Sequence, residues 1–327
     1  MKDGANVLVI INPVSGQGDQ AKLREKVEAK LEAEGVAYEV RETQAEGDAL
    51  KWAKETQADL VIVSGGDGTV METMSGLIEN EREVPLAQLP GGTANLLARS
   101  LGVPIQLDAA LELALNGVSV PLDVGYLPER ERYFAIVAGA GWDARMIEDA
   151  PREIKNRLGF LAYIVSGVRH LFTLKRSDVV LEVDGQEHRF RAHTVMLINV
   201  GEIADTNLKM GDSNPFDGKL DLAIVVPNTL GGILRLVFRL VTGNFENYRD
   251  LKTFSAERVK VSATPPLEVQ IDGETLGHTP FSAEVVPGGA LLVVPADYAA
   301  EKGFGDAARE SGSVQEIKEE KEHSAVQ

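Results

Sequence analysis

The sequence predicts two domains: an N-terminal α/β domain with a parallel sheet, and a C-terminal domain that is an antiparallel β-sandwich. Over residues 1–122, short apolar runs alternate with amphipathic stretches of helical length, which is typical of a parallel sheet covered by helices. Over 123–295 the apolar runs are short and rich in β-branched residues, and Gly and Asp turns separate them. The segment 307–327 is acidic and has no apolar periodicity, so we predict that this tail is disordered.

Each predicted element of the first domain follows from its own pattern. Runs of five to seven residues that are apolar, or that alternate apolar with charged residues, predict strands, and charged amphipathic stretches that end near glycine or polar residues predict helices. In chain order, these are a strand over Val7–Ile11, a helix over 19–34, a strand over Val36–Glu42, a helix over 46–57, and strands over Leu60–Ser64 and Pro85–Leu89.

The second domain is predicted to contain eight short strands separated by turns such as Val183-Asp184-Gly185 and Asp272-Gly273. They cover Tyr133–Ala138, Val179–Val183, Phe190–Val200, Leu220–Val226, Val259–Val261, Leu267–Ile271, Ala283–Val286 and Ala290–Val294. Two apolar and basic helices, 151–176 and 230–243, interrupt them. These helices either contact a membrane surface locally or pack on the core with their cations solvated, and the sequence leaves both open.

Composition excludes several classes of function. The formal charge of −17 argues against nonspecific nucleic-acid binding and against broad attraction to anionic lipid. The absence of cysteine excludes disulfides, thiolate metal sites and cysteine nucleophiles. No uninterrupted apolar run approaches the roughly 18 residues that span a bilayer. We therefore expect a cytoplasmic protein with no nucleic-acid partner.

The run from Gly65 to Thr69, Gly-Gly-Asp-Gly-Thr, lies between a predicted strand and a predicted helix. Glycine allows close approach of the backbone to a ligand, and the helix start offers unpaired N–H groups with partial positive charge. The carboxylate of Asp67 within this loop favours a magnesium-bound nucleotide over a bare anion. The alternative is a tight βα turn that needs glycine for its geometry alone.

Two more junctions of this kind strengthen the nucleotide interpretation. The segment Pro90–Asn95 follows one predicted strand, and Asn12–Gly18 follows the first strand. The carboxyl ends of parallel strands meet at one edge of a sheet, where ligands bind. We therefore expect the three loops to meet at that edge.

These motifs together resemble a known family. Asn-Pro-Val-Ser-Gly from Asn12, Gly-Gly-Asp-Gly-Thr from Gly65, Gly-Gly-Thr-Ala-Asn from Gly91 and Ile-Asp-Gly-Glu from Ile271 look like the diacylglycerol kinase and sphingosine kinase superfamily. The likeness is to its soluble bacterial lipid kinases and covers roughly residues 5–300. It implies an N-terminal nucleotide domain, a C-terminal β-sandwich and a return strand near 296–306. The GGDGT run alone is less specific, because NAD kinases and phosphofructokinases resemble it there.

The resemblance implies specific site residues. Positions that would bind ATP are Asn12, Ser15, Thr43, Gly65, Gly66, Asp67, Gly68, Thr69, Gly92 and Thr93. Positions that would hold Mg²⁺ are Asn214 and Lys219 through carbonyl oxygens, Asp217 through its carboxylate, and Asp123 through a metal–water network. Oxygen-only ligation suits Mg²⁺. Electrostatics places Asp67 near the γ-phosphate or its metal, because a carboxylate that faced phosphate directly would be repelled.

Glu274 matches the proposed general base of the family. A carboxylate with a pKa of about 4.3 cannot deprotonate a hydroxyl with a pKa of about 15.7 before transfer begins. Its expected role is therefore to orient the acceptor hydroxyl and to collect the proton late. Without the resemblance, Glu274 reads as an exposed residue beside a hairpin turn.

The sequence departs from the family pattern at three positions. Met71 replaces a common asparagine, Leu96 replaces a common aspartate, and Gln17 stands where some members have lysine. These changes either alter the substrate or weaken catalysis.

We predict an ATP- and Mg²⁺-dependent kinase that phosphorylates a lipid hydroxyl, with diacylglycerol as the substrate and phosphatidic acid as the product. The lipid would be met at a membrane surface, with peripheral contact at the inner face, and a homodimer stays an open alternative. Two other functions also stay open: a kinase for a soluble substrate such as NAD, and a catalytically silent protein that binds lipid or nucleotide.

Overall fold

The computed structural model describes residues 5–15, 20–141, 176–201, 213–226, 231–232, 251–272 and 274–305. The chain divides into two compact units, one of Met1–Asp123 with Pro287–Gln327 and the other of Val124–Val286. The predicted basic helices over 151–176 and 230–243 lie outside the described residues, apart from Arg176 and 231–232. Gln17 and the tail over 307–327 also lie outside them.

The first unit is an α/β layer structure, as predicted. Its elements are β1 (Asn6–Ile11), α1 (Gln20–Ala33), β2 (Ala37–Glu42), α2 (Asp48–Glu55), β3 (Leu60–Gly65), α3 (Asp67–Ile78), β4 (Leu86–Pro90), α4 (Leu96–Ser100) and α5 (Leu107–Asn116). The strands pair in the order β2-β1-β3-β4, and all of these pairs are parallel. Because the strands are parallel, the loops after β1, β3 and β4 leave the sheet at the same edge.

Buried side chains fix this sheet between two layers of helices. On one face, Val9 and Ile62 pack with Leu31 of α1 and Ala110 of α5, and all four are fully or almost fully buried. The strands are apolar on both faces, with a fully buried run over Leu60–Gly65, which is typical of a parallel strand covered on both sides. This packing holds the loops at the sheet edge on rigid elements.

Helices α2 and α3 approach so closely that a single glycine allows the contact. A Cβ atom on Gly76 would lie 2.2 Å from the Leu50 carbonyl oxygen and 2.8 Å from the Ala53 Cβ. We expect Gly76→Ala to lower the free energy of unfolding by about 1–3 kcal/mol, because the helices must separate. Urea denaturation measures this change.

Gly68→Ala is the matched control for Gly76→Ala, because Gly68 lies in the same helix and a Cβ atom there would have no packing neighbour within 4 Å. Alanine gains helix propensity over glycine by up to about 1 kcal/mol and does so most fully in the helix interior, so a Gly76→Ala variant that is less stable than Gly68→Ala reports the steric effect. Equal stability of the two variants would contradict the expected clash.

The second unit contains two antiparallel sheets. Its strands, with the segments that join it to the first unit, are β5 (Val118–Leu127), β6 (Arg132–Phe134), β7 (Val137–Ala140), β8 (Ser177–Val183), β9 (Gln186–Ala192), β10 (Thr194–Ile198), β11 (Leu220–Val225), β12 (Leu251–Ala256), β13 (Arg258–Thr264), β14 (Glu268–Ile271), β15 (Glu274–His278) and β16 (Phe281–Val294). One sheet has the order β12-β11-β10-β7-β14-β15, and in the other β16, β13, β8 and β9 are neighbours. Side chains from both sheets, such as Leu197 and Leu181, share one fully buried core. The predicted fold class is thus confirmed in both units.

Two expectations about the C-terminal part of the chain were wrong. The runs Ala283–Val286 and Ala290–Val294, predicted as two strands, form the single strand β16, whose Leu292 pairs in parallel with Leu86 of β4. The return strand predicted near 296–306 is a helix, α6 (Ala296–Glu301). Alanine-rich sequence after Pro295 favours a helix there, and the end of β16 provides the returning strand instead.

Candidate functional site

Asn12 joins the loop after β1 to the first turn of α3. Its backbone N–H donates to the Ser64 carbonyl at 2.8 Å, and its Nδ2 donates to Thr69 Oγ1 at 2.8 Å. The Asn12 Oδ1 atom accepts the Val14 N–H at 3.1 Å. The structure therefore brings together Asn12 and Thr69, two of the predicted nucleotide-binding residues, at the predicted edge of the sheet.

The loops after β3 and β4 touch through their main chains. The Gly91 N–H donates to the Gly65 carbonyl at 2.9 Å. A Cβ atom on Gly92 would lie 2.6 Å from the Gly66 Cα, and one on Gly65 would lie 2.6 Å from the Thr69 Cβ. Glycine is needed at these positions because neighbouring atoms already occupy the space that side chains would fill.

Helix α3 starts at this edge and offers N–H groups to a ligand. It begins at Asp67, and its N-cap residue Gly66 makes no side-chain capping bond. The first N–H groups of a helix have no partner within the helix and carry partial positive charge. Gly68 is exposed in this first turn. The arrangement suits phosphate oxygens.

The Asp67 carboxylate faces the start of α4. Its Oδ1 atom accepts the Leu97 N–H at 3.3 Å. Burial raises the pKa of the Asp67 carboxyl, although amide groups of Leu97, Leu96 and Asn95 oppose this. A partly buried carboxylate between two helix starts is the kind of perturbed group found at functional sites.

Asn95 holds the Gly91–Asn95 loop through a reciprocal pair of hydrogen bonds. The Gly92 N–H donates to Asn95 Oδ1 at 2.8 Å, and Asn95 Nδ2 donates to the Gly92 carbonyl at 2.8 Å. Asn95 is buried and has a left-handed backbone with φ of 48°. In the sequence, Asn95 is recognisable only as part of the Gly91–Asn95 motif, because its loop-closing role depends on this left-handed conformation.

We expect Asn95→Ala to destabilise the protein by about 3–4 kcal/mol. The loss combines the left-handed backbone penalty, about 1–2 kcal/mol, with two hydrogen bonds of about 1 kcal/mol each. Asn95→Gly removes the same hydrogen bonds, but glycine adopts the left-handed backbone conformation without strain. Asn95→Gly should therefore lower the free energy of unfolding less than Asn95→Ala does. Thermal and urea unfolding of both variants measure the difference, and an Asn95→Gly variant that is the less stable one would contradict this account.

The remaining predicted ATP-binding residues lie at the same edge. Ser15 Oγ donates to the Asn12 carbonyl at 2.8 Å, and the Thr43 N–H donates to the Ile11 carbonyl at 2.9 Å. Thr93 is exposed in the loop after β4. That these residues bind ATP stays a prediction.

Asp123, predicted to join a metal–water network, is buried with 3% exposure. Its Oδ1 atom accepts the Gly288 N–H at 2.7 Å, at a point where β16 has a left-handed glycine with φ of 54°. The carboxylate therefore holds the left-handed Gly288 of β16 within the first unit. Its role toward a metal stays a prediction.

The predicted magnesium loop of the second unit is a compact turn. The Asp217 N–H donates to the Asn214 carbonyl at 3.3 Å, and the Lys219 N–H donates to Asp217 Oδ1 at 3.0 Å. Gly218 between them has a left-handed φ of 73°. One carboxylate and main-chain carbonyls are hard oxygen donors, which fits Mg²⁺ that keeps water and phosphate as its other ligands. Within the described ranges, no three His, Cys, Asp or Glu side chains form a metal-binding group.

Glu274 lies at the start of β15 and is exposed, opposite Ile271 of β14. Asp272, two residues earlier, has a left-handed φ of 44°, and its carboxylate accepts backbone N–H groups of Ala135, Ile136 and Val137. The local sequence around Asp272 indicates only a turn. No local signal indicated these bonds, because the partners lie more than 130 residues away.

Two of the three residues that depart from the family pattern lie in the part of the chain that the structure describes. Met71 lies in α3, and Leu96 is the first residue of α4, where its amide faces the Asp67 carboxylate. Both are partly buried. Leu96 therefore contributes a main-chain group near Asp67 and no second carboxylate.

The chain thus combines an α/β unit, whose glycine loops present main-chain N–H groups suited to phosphate, with an antiparallel sandwich unit. Residues 6–127 match the diacylglycerol kinase catalytic domain, and residues 136–294 match the YegS C-terminal NAD kinase beta sandwich-like domain. The chain therefore belongs to the diacylglycerol kinase family of lipid kinases.

Individual relatives agree with this assignment. A Bacillus subtilis protein named diacylglycerol kinase is 31% identical over 276 residues, covering 83% of this chain and 90% of the relative. A Salmonella arizonae protein named "Probable lipid kinase YegS" is 30% identical over 297 residues, covering 89% of this chain and 96% of the relative. A crystal structure described as a diacylglycerol kinase from Bacillus anthracis has a TM-score of 0.72 and 27% identity, covering 91% of this chain and 100% of that chain.

Proposed function

We propose that this protein is an ATP- and Mg²⁺-dependent kinase that transfers the γ-phosphoryl group of ATP to the hydroxyl of diacylglycerol, giving phosphatidic acid. The observation that carries the proposal is the edge of the first unit. There, glycine main chains and the start of α3 form a surface of N–H groups beside the Asn12–Thr69 hydrogen bond. Family membership and the names of the relatives support the lipid acceptor.

The first unit would bind the nucleotide. N–H groups of Gly68 and Thr69 at the start of α3 suit phosphate oxygens, and hydroxyl groups of Ser15, Thr43 and Thr93 add hydrogen bonds. Phosphoryl transfer depends mainly on positioning and on neutralising charge, so a rigid set of such donors is the main requirement.

Bound Mg²⁺ would neutralise negative charge on the transferring phosphoryl group. In the second unit, the residues that would hold it are Asp217 and the carbonyl groups of Asn214 and Lys219. In the first unit, Asp123 would bind a metal-associated water. Asp67 would lie near the γ-phosphate or this ion. Its raised pKa reflects a carboxylate that lacks full hydration in the folded protein.

Glu274 would act on the acceptor. Its exposed carboxylate can accept a hydrogen bond from the lipid hydroxyl, which orients the oxygen toward the phosphorus atom. The proton moves to Glu274 late, after the new O–P bond has begun to form. In-line geometry supplies most of the rate, and Glu274 supplies the proton acceptor.

The lipid acceptor requires the protein to work at a membrane surface. We propose peripheral contact there, at the inner face of the membrane, because the acyl chains keep diacylglycerol in a bilayer. In the part of the chain that the structure describes, no helix combines the length and apolar character needed to cross a bilayer.

One observation favours an alternative acceptor. The family that matches the second unit is described as NAD kinase beta sandwich-like, which keeps a soluble acceptor such as NAD as the second candidate. The two functions differ in whether lipid is required.

The deciding experiment measures ADP release by the purified protein with ATP and Mg²⁺. One arm contains diacylglycerol and other hydroxyl lipids in mixed micelles, a second contains NAD without lipid, and a third contains EDTA. Turnover that needs both lipid and Mg²⁺, above the Asp67→Ala background, supports the proposal. Turnover with NAD alone supports the alternative, and ATP binding without turnover on any acceptor indicates a silent binding protein.

A further inference from the structure

In two Asp-Gly hairpins of the second unit, the aspartate of the turn binds backbone N–H groups of another segment. Asp184, between β8 and β9, and Asp272, between β14 and β15, both have left-handed backbones, with φ of 46° and 44°. In both, the aspartate carboxylate accepts backbone N–H groups from a distant segment of the unit. Two-residue hairpin turns with Asp-Gly require this backbone conformation, so the turn type explains the φ values. The turn type does not explain why each aspartate carboxylate binds N–H groups of another segment.

The bonds of Asp272 are the more numerous. Its Oδ2 atom accepts the Ala135 N–H at 3.0 Å, and its Oδ1 atom accepts the N–H groups of Ile136 at 3.1 Å and Val137 at 2.9 Å. The Asp272 N–H donates to the Val137 carbonyl at 2.9 Å. Hydrogen bonds to a carboxylate are roughly twice as strong as neutral ones, so these bonds fix the hairpin to the segment between β6 and β7.

The consequence concerns Glu274, two residues further along. Strand β15 is an edge strand that pairs with β14, and Glu274 is exposed at its first position. An exposed side chain on an edge strand has little packing to hold its backbone in place. The turn that the Asp272 carboxylate anchors therefore fixes the position of the Glu274 backbone.

We propose that Asp272 is a positioning residue for phosphoryl transfer, which fixes the backbone of Glu274 by binding the three successive N–H groups of residues 135–137. The proposal rests on the proposed function. Asp272 acts through Glu274, because both of its carboxylate oxygens are bound to main-chain donors of residues 135–137. A displacement of about 1 Å in a reacting group lowers a rate by as much as 10²-fold, which sets the expected effect.

Asp272→Asn and Glu274→Gln, singly and together, test this role, with Asp184→Asn as the matched control. Asp184 accepts the Arg258 N–H at 2.8 Å and the Glu257 N–H at 3.2 Å, so its loss removes a comparable anchor from a hairpin without a predicted site residue. Asp272→Ser serves as a second variant if Asp272→Asn does not fold. The readouts are kcat and KM with ATP and micellar diacylglycerol, and Tm.

We expect Asp272→Asn to lower kcat by about 10²-fold with KM for ATP unchanged, and Asp184→Asn to lower Tm without that loss of kcat. Combined with Glu274→Gln, the Asp272 change should add almost nothing, because both act through one group. Multiplied effects in the double variant would overturn the proposal, as would an equal kcat loss in Asp184→Asn or a wild-type kcat in Glu274→Gln. Absence of lipid-dependent ADP release by the unmodified protein would instead refute the proposed function.

Discussion

Glu274→Gln is expected to lower kcat for lipid phosphorylation by roughly 10²- to 10⁴-fold, the usual contribution of a general base. Glutamine can still accept a hydrogen bond from the acceptor hydroxyl, but it cannot take the proton. KM for ATP should stay unchanged, because Glu274 belongs to the second unit and the predicted nucleotide-binding residues belong to the first. The Tm should also stay unchanged, since Glu274 is exposed.

Steady-state ADP release with micellar diacylglycerol measures this effect, together with a thermal melt. Glu182→Gln is the matched control, because Glu182 is an exposed glutamate on a strand of the same unit. Its kcat should equal that of the unmodified protein. If Glu274→Gln keeps the wild-type kcat, the proton leaves by another route, and Glu274 is only a hairpin residue.

The features that sequence could predict are those set by local pattern. The strands β1, β3 and β4 are short apolar runs, and their glycine-rich ends identify the ligand-binding edge without knowledge of any distant contact. The sequence shows that the loop around Gly92 is rich in glycine, but it does not show why this position requires glycine. The cause of this requirement, the contact with the Gly66 backbone, belongs to the folded sheet.

The features that sequence missed depend on distant partners or on a glycine conformation. Pro287-Gly288-Gly289 reads as a break, but a left-handed Gly288 and the Asp123 carboxylate let β16 continue through it. Likewise, the run Tyr133–Ala138 reads as one strand, whereas its central amides bind Asp272 and divide it into β6 and β7. A local pattern contains no information about a carboxylate more than 130 residues away.

Asp67→Asn is expected to lower kcat/KM by about 10²- to 10³-fold, the usual loss when one preorganised group near the transferring charge is removed. Asparagine has nearly the same shape and can still accept the Leu97 N–H, so the two helix starts should stay in place. The loss of kcat/KM would therefore come from removing the negative charge of Asp67, which is proposed to act on the γ-phosphate or on its metal ion. Gly68→Ala, Asn95→Gly and Asp67→Asn together separate loop geometry from charge at this edge.

The same substitution should make the protein more stable at neutral pH, and the sign follows from the pKa. Burial raises the pKa of Asp67 above its ordinary value of 3.8, so the folded state binds this proton more tightly than the unfolded state. The protonated Asp67 side chain contributes its full stabilisation of the folded state below pH 3.8. This stabilisation is lost as the pH rises through the raised pKa of the folded state. Above that value, the unmodified protein holds an ionised, partly dehydrated carboxylate, whereas Asp67→Asn does not.

Urea denaturation of both proteins across a pH series that starts near 3.8 measures this difference. The stability of Asp67→Asn relative to the unmodified protein should increase from acid to neutral pH, while its kinase activity stays low. A residue that lowers stability and raises activity is retained for function, because selection for folding alone would replace it. A variant that is less stable at every pH would instead mean that Asp67 serves to dock the start of α4.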